Sequence, residues 1–389
     1  MKRRARNKPP APVYDPAHSL EFAAPSSLPH MPHRVPPRKR NRRRIAAGIL
    51  ATLLFAGLAG SLWLTRDPEP GMIARRSALA AVEEGAPTIE GKHEVRNVTL
   101  RAASGIEVDL TIKRPLPHEA SPERRPIALL LGGHRRGRNA VQFIPDAGGM
   151  IVAALSYPYA GEPKPDALEF VGDIPNIRQA FLDTPPAIML ALDYLLAQPD
   201  VDPTWVELVG VSLGGPFVTI AAALDDRVSR VWVVHGSAGS YGPLEVSMRR
   251  EIPIPGVRQL AAGLSALIIN GPRMAPERWV HRVAPRPFVM VNARNDERMP
   301  RYLVERLFES AKEPKRIVWL PGGHVRSNAA VLKPLVDTVV AMMAKTPPPR
   351  IMSARGDITP SHGADTEVAP AASVVGASTD PRTRYAAAP

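Results

Sequence analysis

The sequence predicts an α/β protein, with a mostly parallel central sheet covered by helices on both faces and preceded by one transmembrane helix. Three observations lead to this prediction. Short apolar runs typical of buried strands recur between residues 126 and 320, a helical pattern lies among them, and an uncharged stretch lies near the N-terminus. Residues 93–345, about 250 in number, suit one α/β domain.

The uncharged stretch Ile45–Leu64 is long enough to cross a bilayer, because about 20 helical residues span about 30 Å. The segment before it, Arg38–Arg44, is basic at every position except Asn41, which predicts a cytoplasmic N-terminus and a domain on the periplasmic or extracytoplasmic side. A cleaved signal peptide is the alternative, since Ala78–Ala80 offers small residues for cleavage, but the stretch before the apolar run is long for one. A buried core helix fits less well, because the stretch is apolar on every face.

The positive charge of the chain concentrates in its N-terminal tail. Residues 1–44 contain 12 Lys and Arg against Asp15 and Glu21, so that +10 of the net charge of +13 lies there. A basic tail beside an apolar span indicates membrane topology and contact with anionic lipid, and we predict no nucleic-acid partner. The chain contains no cysteine, so no disulfide reports its redox compartment. Composition predicts disorder in the Pro-rich segments 1–44 and 346–389 and a linker over 65–92.

The elements of the domain follow in chain order. Residues 95–100 and 106–112 alternate at period two around Ser104 and Gly105, which predicts an opening hairpin. The segment Pro186–Ala197 has apolar residues at helical spacing and predicts a crossover helix. Further apolar runs predict buried strands at 126–131, 151–155, 205–209, 231–235, 287–292 and 316–320.

The segment Gly210–Gly214 reads Gly-Val-Ser-Leu-Gly and lies between a predicted strand and a helix that can begin at Pro216. This context predicts a serine nucleophile on a tight turn, with glycines where the backbone is crowded. Ser212 is the predicted nucleophile. The N–H of Leu213, at the start of the helix, is a predicted oxyanion donor. A plain Gly/Ser turn is the alternative for such a short motif.

A serine nucleophile needs a base, and the base needs an acid to orient it. His324 ends a Gly-rich loop after the last predicted strand and is the candidate base, whereas His362 lies in the C-terminal tail. Asp296, just beyond the strand at 287–292, is the candidate acid, and Glu297 is its nearest competitor. The order Ser, acid, His is that of a known hydrolase arrangement.

A second oxyanion donor is predicted in the loop after the strand at 126–131, where Gly132 and Gly133 precede His134. The N–H of His134 is the candidate. Its imidazole is a weaker candidate for the base, because it precedes Ser212 in the chain. The neighbouring basic residues Arg135, Arg136 and Arg138 either bind an anionic substrate or form a solvated loop.

Over about residues 95–345, these motifs resemble the α/β-hydrolase superfamily. The chain is most similar to its dienelactone hydrolase and acetyl xylan esterase-like branch, through Val201-Asp202, Ala284–Phe288 and Asp296–Pro300. The resemblance implies the α/β-hydrolase fold and a serine hydrolase. The usual His-Gly of the oxyanion loop is Gly132-Gly133 here, and the cysteine nucleophile of dienelactone hydrolases is excluded by the absence of cysteine.

A long insertion, about 238–280, separates two predicted strands and is longer than an ordinary connection. It contains an apolar helical face, which we interpret either as core packing or as a lid over the active site. The face consists of Val257, Leu260, Ala261, Leu264, Leu267 and Ile268. We expect His235 and His281, near this region, to be structural.

Taken together, the sequence predicts a membrane-anchored carboxylic-ester hydrolase that forms an acyl-enzyme on Ser212. The expected partners are a small-molecule or acyl-ester substrate and the membrane, through Ile45–Leu64. We predict neither a cofactor nor a bound metal. The sequence gives no indication of the oligomeric state. A peptidase or acyltransferase on the same triad and a non-catalytic, membrane-tethered binding protein are the alternatives.

Overall fold

The computed structural model describes residues 39–64, 66–117, 123–133, 136–146, 148–159, 161, 167–325 and 329–348. The chain divides into two compact units, residues 1–60 and 61–389. Of the two tails expected to be disordered, residues 1–38 and 349–389 lie outside the described part.

Helix α1 (Lys39–Leu64) contains the predicted membrane span. Its window Arg44–Leu62 has a mean hydropathy of 2.1, and none of it is buried. The helix begins six residues before the predicted span, inside the basic cluster, because Lys and Arg are good helix formers. A core helix buries its apolar side chains, whereas those of α1 are exposed at Ile45, Ile49, Leu50, Leu53, Leu54, Phe55, Leu58 and Leu62.

The expectation of a linker over residues 65–92 is wrong. This region forms helix α2 (Glu69–Arg76) and strands β1 (Leu79–Glu84) and β2 (Thr88–Glu90). Met72 is buried in the core, and Arg75 and Arg76 form ion pairs with Asp183 and Asp193, respectively. Both strands pair antiparallel with β3 (His93–Ala102). The sequence pattern is weak here because edge strands that expose most of their side chains lack apolar alternation.

The sheet continues through strands that match the predicted apolar runs. The remaining strands are β4 (Glu107–Pro115), β5 (Arg125–Leu131), β6 (Ile151–Leu155), β7 (Val201–Val211), β8 (Arg230–Val234), β9 (Phe288–Ala293) and β10 (Lys315–Leu320). Strand β3 pairs antiparallel with β4 across the turn at Gly105, as the hairpin pattern predicts, and β4 pairs antiparallel with β6. From β6 onward the pairings are parallel, and the strand order is β1-β3-β4-β6-β5-β7-β8-β9-β10, with β2 beside β3.

Helices cover both faces of this sheet. These helices are α3 (Ala167–Leu196), α4 (Gly214–Leu224), α5 (Tyr241–Ser247), α6 (Pro255–Ile268), α7 (Gly271–Met274), α8 (Arg301–Ser310) and α9 (Ala329–Lys345). The crossover helix α3 begins well before the predicted Pro186, and α4 begins two residues before Pro216. One core contains alternate residues of β5, such as Leu129, and residues of α3, α4 and α8, and the other contains Leu130 with residues of α9.

The insertion between β8 and β9 contains α5, α6 and α7, followed by two short 3-10 turns. Of the two interpretations of the apolar face in this insertion, core packing is wrong. Val257, Leu260, Leu264 and Leu267 are exposed, and α6 instead buries its small residues Ala262 and Ala266. Small side chains let α6 pack closely against the domain, and this packing turns its large apolar side chains outward.

Candidate active site

Ser212 lies on a sharp turn between β7 and α4 and has a left-handed backbone conformation, with φ +54°. Two flanking glycines make this turn possible. A Cβ at Gly210 would lie 2.6 Å from the carbonyl oxygen of Gly214, and a Cβ at Gly214 would lie 2.3 Å from the carbonyl oxygen of Leu131. Side chains at these two positions would collide with backbone, so the turn requires glycine at both. The half-buried Ser212 lies at the carboxyl end of a central parallel strand.

His324 lies beside Ser212 although 112 residues separate them in the chain. Its Nε2 is 3.0 Å from Ser212 Oγ, and its Nδ1 is 2.9 Å from each carboxylate oxygen of Asp296. The three residues meet because β7, β9 and β10 are parallel and end at the same edge of the sheet. The three residues predicted as nucleophile, base and acid are thus in continuous hydrogen-bond contact.

Asp296 follows β9, and its side chain is buried. Its Oδ1 accepts hydrogen bonds from the backbone N–H groups of Arg298 and Met299, both at 2.9 Å. Burial by itself raises the pKa of Asp296, but hydrogen bonds from His235, His324 and the backbone outweigh it and hold the pKa well below its usual range. Asp296 is therefore a carboxylate at neutral pH.

Glu297, the competitor for the acid, has a different contact. Its Oε2 accepts a hydrogen bond of 2.8 Å from the backbone N–H of His324. A Cβ at Gly323 would lie 2.7 Å from this oxygen. Glu297 thus holds the loop that carries His324, whereas Asp296 contacts the imidazole itself.

His235, which we expected to be merely structural, contacts the same carboxylate. Its Nδ1 lies 2.9 Å from Asp296 Oδ2, and its ring meets that of His324 edge to face, with 5.3 Å between centroids. The residue is buried and has φ +51°, and its backbone N–H bonds to the carbonyl of Val291. The available signal was its position at the end of β8, the strand between those that lead to Ser212 and Asp296. The other histidine expected to be structural, His281, is exposed on a 3-10 turn.

The group His235, Asp296 and His324 also has the composition of a metal site, with ligand atoms within 4.8 Å of one another. Its geometry fits hydrogen bonding better. Both Nδ1 atoms lie 2.9 Å from the carboxylate, the distance of an N–H donor to an oxygen acceptor. A metal ion bound at about 2.0–2.2 Å from each ligand atom would have to replace the Nδ1 protons of both histidines and separate the imidazoles from the carboxylate.

The loop after β5 lies next to the nucleophile, but the predicted donor His134 is outside the described residues, as is Arg135. A Cβ at Gly133 would lie 3.7 Å from Ser212 Cβ. Tyr157 Oη donates a hydrogen bond of 2.7 Å to the carbonyl of Gly132, and burial raises the pKa of Tyr157, so this donor keeps its proton. The loop is therefore held beside Ser212.

Leu213, the other predicted oxyanion donor, directly follows Ser212 and precedes the first residue of α4. The basic residues described near this loop have other contacts. The guanidinium carbon of Arg136 lies over the ring of Phe143, 5.0 Å from the ring centroid. Arg138 Nη1 lies 3.7 Å from Asp109 Oδ1. These contacts favour a structural role over binding of an anionic substrate.

Comparisons with known proteins support the fold. The chain is similar to acetyl xylan esterase 1 from Thermoanaerobacterium sp. JW/SL YS485, with a TM-score of 0.51 and 14% identity over 72% of this chain and 94% of that one. An acetyl xylan esterase from Paenibacillus sp. R4 has a TM-score of 0.50 and 17% identity over 72% and 93%. The predicted α/β-hydrolase fold is thereby confirmed.

Sequence comparison finds similarity over only part of the chain. The uncharacterized protein YfhR of Escherichia coli is 26% identical over 135 residues, which cover 34% of this chain and 43% of YfhR. The match thus spans less than half of that relative. No protein-family model matches the chain.

Proposed function

We propose that this protein is a membrane-anchored serine hydrolase that cleaves carboxylic esters through an acyl-enzyme on Ser212. The observation that carries the proposal is the continuous contact from Ser212 Oγ to His324 Nε2, at 3.0 Å, and from His324 Nδ1 to Asp296, at 2.9 Å. Two solved structures to which the chain is similar are acetyl xylan esterases, which supports ester substrates.

In the first half-reaction, Ser212 Oγ attacks the acyl carbonyl carbon while His324 Nε2 takes the hydroxyl proton. The Asp296 carboxylate holds His324 with Nδ1–H toward itself, which leaves Nε2 free to accept that proton, and stabilises the imidazolium that results. His324 then gives the proton to the leaving alcohol oxygen as the carbonyl re-forms, and the acyl group stays on Ser212.

In the second half-reaction, water loses a proton to His324 and attacks the acyl carbon, and the proton returns to Ser212 as the acid leaves. Negative charge develops on the carbonyl oxygen in both halves. The N–H groups of Leu213 and His134 are the proposed donors to this oxygen, and loss of one such donor costs about 2.7–4 kcal/mol in comparable enzymes.

A fluorophosphonate probe tests the nucleophile directly, because it forms a covalent bond with an activated serine. We expect labelling of the wild type and of the control Ser310→Ala, whose serine lies at the end of α8. Ser212→Ala should not be labelled. Equal labelling of Ser212→Ala, or no labelling of the folded wild type, would contradict the proposal; the second result would favour a non-catalytic binding protein.

The acyl acceptor and the scissile bond need separate assays. Matched acetyl esters and acetyl anilides, tested with and without an added alcohol, separate an esterase from a peptidase and an acyltransferase. We expect ester hydrolysis to dominate, and faster anilide cleavage or acyl transfer to the alcohol would replace the esterase assignment.

The membrane anchor is supported by the apolar window Arg44–Leu62 of α1, none of which is buried. Retention rather than cleavage is supported by α2, which follows α1. Cleavage after Ala80 would remove α2, with buried Met72 and its two ion-paired arginines, and the first residues of β1. We expect the mature protein to keep α1 and to resist extraction from membranes by alkaline carbonate; an N-terminus at Val82 or Ala81 in the mature protein would contradict this.

The domain's side of the membrane is a further part of the proposal, since the basic cluster before the span predicts a cytoplasmic N-terminus. Because the chain has no cysteine, one cysteine introduced at exposed Ile89 reports its compartment. A membrane-impermeant maleimide should label Ile89→Cys in cells whose outer barrier has been opened and whose inner membrane is intact. Labelling only after rupture of the inner membrane would reverse the topology.

A further inference from the structure

Helix α6 carries an apolar face that the described part of the protein does not cover. Its large side chains recur every three or four residues, which places them on one side of the helix. Their exposed fractions range from 38% to 65% at Ile254, just before the helix, and at Val257, Leu260, Leu264 and Leu267. Contiguous exposed apolar surface of this kind marks a site of interaction with a protein or a membrane.

The face of α6 is also without charge. The only charged residue in α6 is Arg258. Its Nε lies 2.6 Å from Glu245 Oε1, and its side chain is mostly buried. A helix that packs small residues against its own domain and presents a broad, uncharged apolar side outward suits an apolar environment better than water.

The C-terminal end of α6 is bonded to the chain that leaves the apolar span. The guanidinium of Arg178 donates to the carbonyl of Ile268, at 2.6 Å, and to the carbonyl of Leu64, at 3.2 Å. Just beyond α6, Asn270 Nδ2 donates to the carbonyl of Arg66, at 2.9 Å. Because the apolar window ends at Leu62, two residues before Leu64, chain continuity brings this end of α6 to the membrane surface.

We infer that the apolar face of α6 lies in the interfacial layer of the bilayer that α1 crosses, with its side chains among the lipid acyl chains. This inference rests on the membrane anchor proposed above. A lipid surface is the occupant because the span itself delivers α6 to the bilayer, and a helix of 14 residues, about 21 Å long, matches a segment that lies flat there. Insertion of α6 then holds the hydrolase domain against the membrane and favours esters that reside in it.

Environment-sensitive labels test this contact. Because the chain is free of cysteine, Leu264→Cys and Ile89→Cys each carry one nitrobenzoxadiazole label in the full chain. Ile89, on β2, is a matched apolar and exposed control. The proteins are reconstituted in phosphatidylcholine and phosphatidylglycerol vesicles with a nitroxide on the acyl chain. We expect blue-shifted emission at residue 264 and at least about twofold stronger quenching there than at residue 89; equal quenching would overturn the inference.

A second copy of the chain is the competing occupant, and the same label distinguishes it. A label at residue 264 that is shielded from aqueous iodide, is not quenched by the lipid nitroxide and loses its shielding when the protein is diluted in lipid would show a protein contact. That result overturns lipid insertion of α6.

Failure of this inference differs from failure of the proposed function. Fluorophosphonate labelling reports Ser212, and carbonate extraction of the vesicles reports the anchor, independently of the label at residue 264. An anchored, reactive protein without lipid quenching would overturn only the role of α6. A protein that carbonate extracts, without lipid quenching, would overturn both the anchor and the α6 contact.

Kinetics give a second test. The double variant Leu260→Gln with Leu264→Gln keeps good helix formers at both positions. We expect unchanged hydrolysis of a water-soluble acetyl ester and at least about a fivefold loss on an ester embedded in vesicles, because the polar variant no longer inserts. Ile89→Gln, the control, should match the wild type on both substrates. Equal activity of the double variant on the embedded ester would contradict the inference.

Discussion

His235 Nδ1 lies 2.9 Å from Asp296 Oδ2, so the carboxylate that orients His324 also accepts a hydrogen bond from a second histidine. The contact has two consequences. It holds Oδ2 while two backbone N–H groups hold Oδ1, and it shares the negative charge between two imidazoles. We therefore expect His235 to act as a positioning residue, through Asp296 rather than on the substrate.

Replacement of His235 by glycine should lower kcat/KM by about 10- to 100-fold, because a hydrogen bond to a charged group contributes about 1.5–3 kcal/mol. Glycine suits the left-handed backbone at this position, so the change removes the donor without backbone strain. His235→Asn keeps an N–H donor and also tolerates this backbone conformation, so it should retain most of the activity.

The pH profile separates this role from a merely structural one. Without the second donor, the charge of Asp296 acts on His324 alone, and the acidic limb of the kcat/KM profile of His235→Gly should move to higher pH. His235→Asn should leave the limb in place. Equal losses of activity in both variants with no movement of the limb would mean that His235 only fills space.

Asp296 and Glu297 should differ sharply on substitution. Asp296→Asn should lower kcat by about 10⁴-fold, as loss of the orienting carboxylate does in a comparable triad. Glu297→Gln keeps an oxygen that accepts the bond from the N–H of His324, so we expect less than about a tenfold loss. Steady-state kinetics on one soluble ester compares the two, and the opposite ranking would assign the acid role to Glu297.

Gly210→Ala should destabilise the protein by about 2 kcal/mol or more and reduce fluorophosphonate labelling, because the new Cβ meets backbone at 2.6 Å. Gly263→Ala is the matched control. No atom lies within 4 Å of a Cβ there, and alanine in a helix interior is favoured by about 0.5–1 kcal/mol, so this variant should be at least as stable as the wild type. Thermal unfolding in detergent measures both; wild-type stability of Gly210→Ala would show that the turn relaxes freely.

The depressed pKa of Asp296 predicts a loss of stability in acid. A carboxylate whose pKa is lower in the folded state stabilises the fold at pH values above its unfolded pKa of about 3.9, and the stabilisation is lost as pH falls through the folded value. Asp296→Asn lacks this contribution. The difference in free energy of unfolding between wild type and Asp296→Asn should therefore shrink between pH 5 and pH 2.5, and a constant difference would contradict the assignment.

The sequence predicts the centre of the sheet and the three contacting residues well, because buried parallel strands have continuous apolar runs and end at a common edge. Ser212, Asp296 and His324 each follow such a run, so their order alone brings them to that edge. His235 also follows one, but a histidine at a strand end is compatible with many contacts, and only the structure shows that Asp296 is its partner.

Other features are poorly encoded in local patterns. The residues of β1 and β2 are mostly exposed, so no alternation indicated them, and α2 depends on ion pairs with residues more than 100 positions away. An apolar face predicts that a helix is covered but does not identify the covering surface, which is why core packing and a lid were both compatible with the face of α6. The first error concerns residues whose partners are distant in sequence, and the second concerns an apolar face that the described residues leave exposed.

The packing of α2 takes the place of the flexible linker predicted over residues 65–92. A flexible tether over residues 65–92, about 28 residues, would give a root-mean-square reach of about 30 Å and let the active site sample a broad hemisphere. Instead, ordered contacts begin at Leu64 and Arg66, and Met72 is already in the core. For the proposed membrane-anchored esterase, we expect substrates to arrive by lateral diffusion in two dimensions, so that turnover in a cell depends on the surface density of the ester rather than on its bulk concentration.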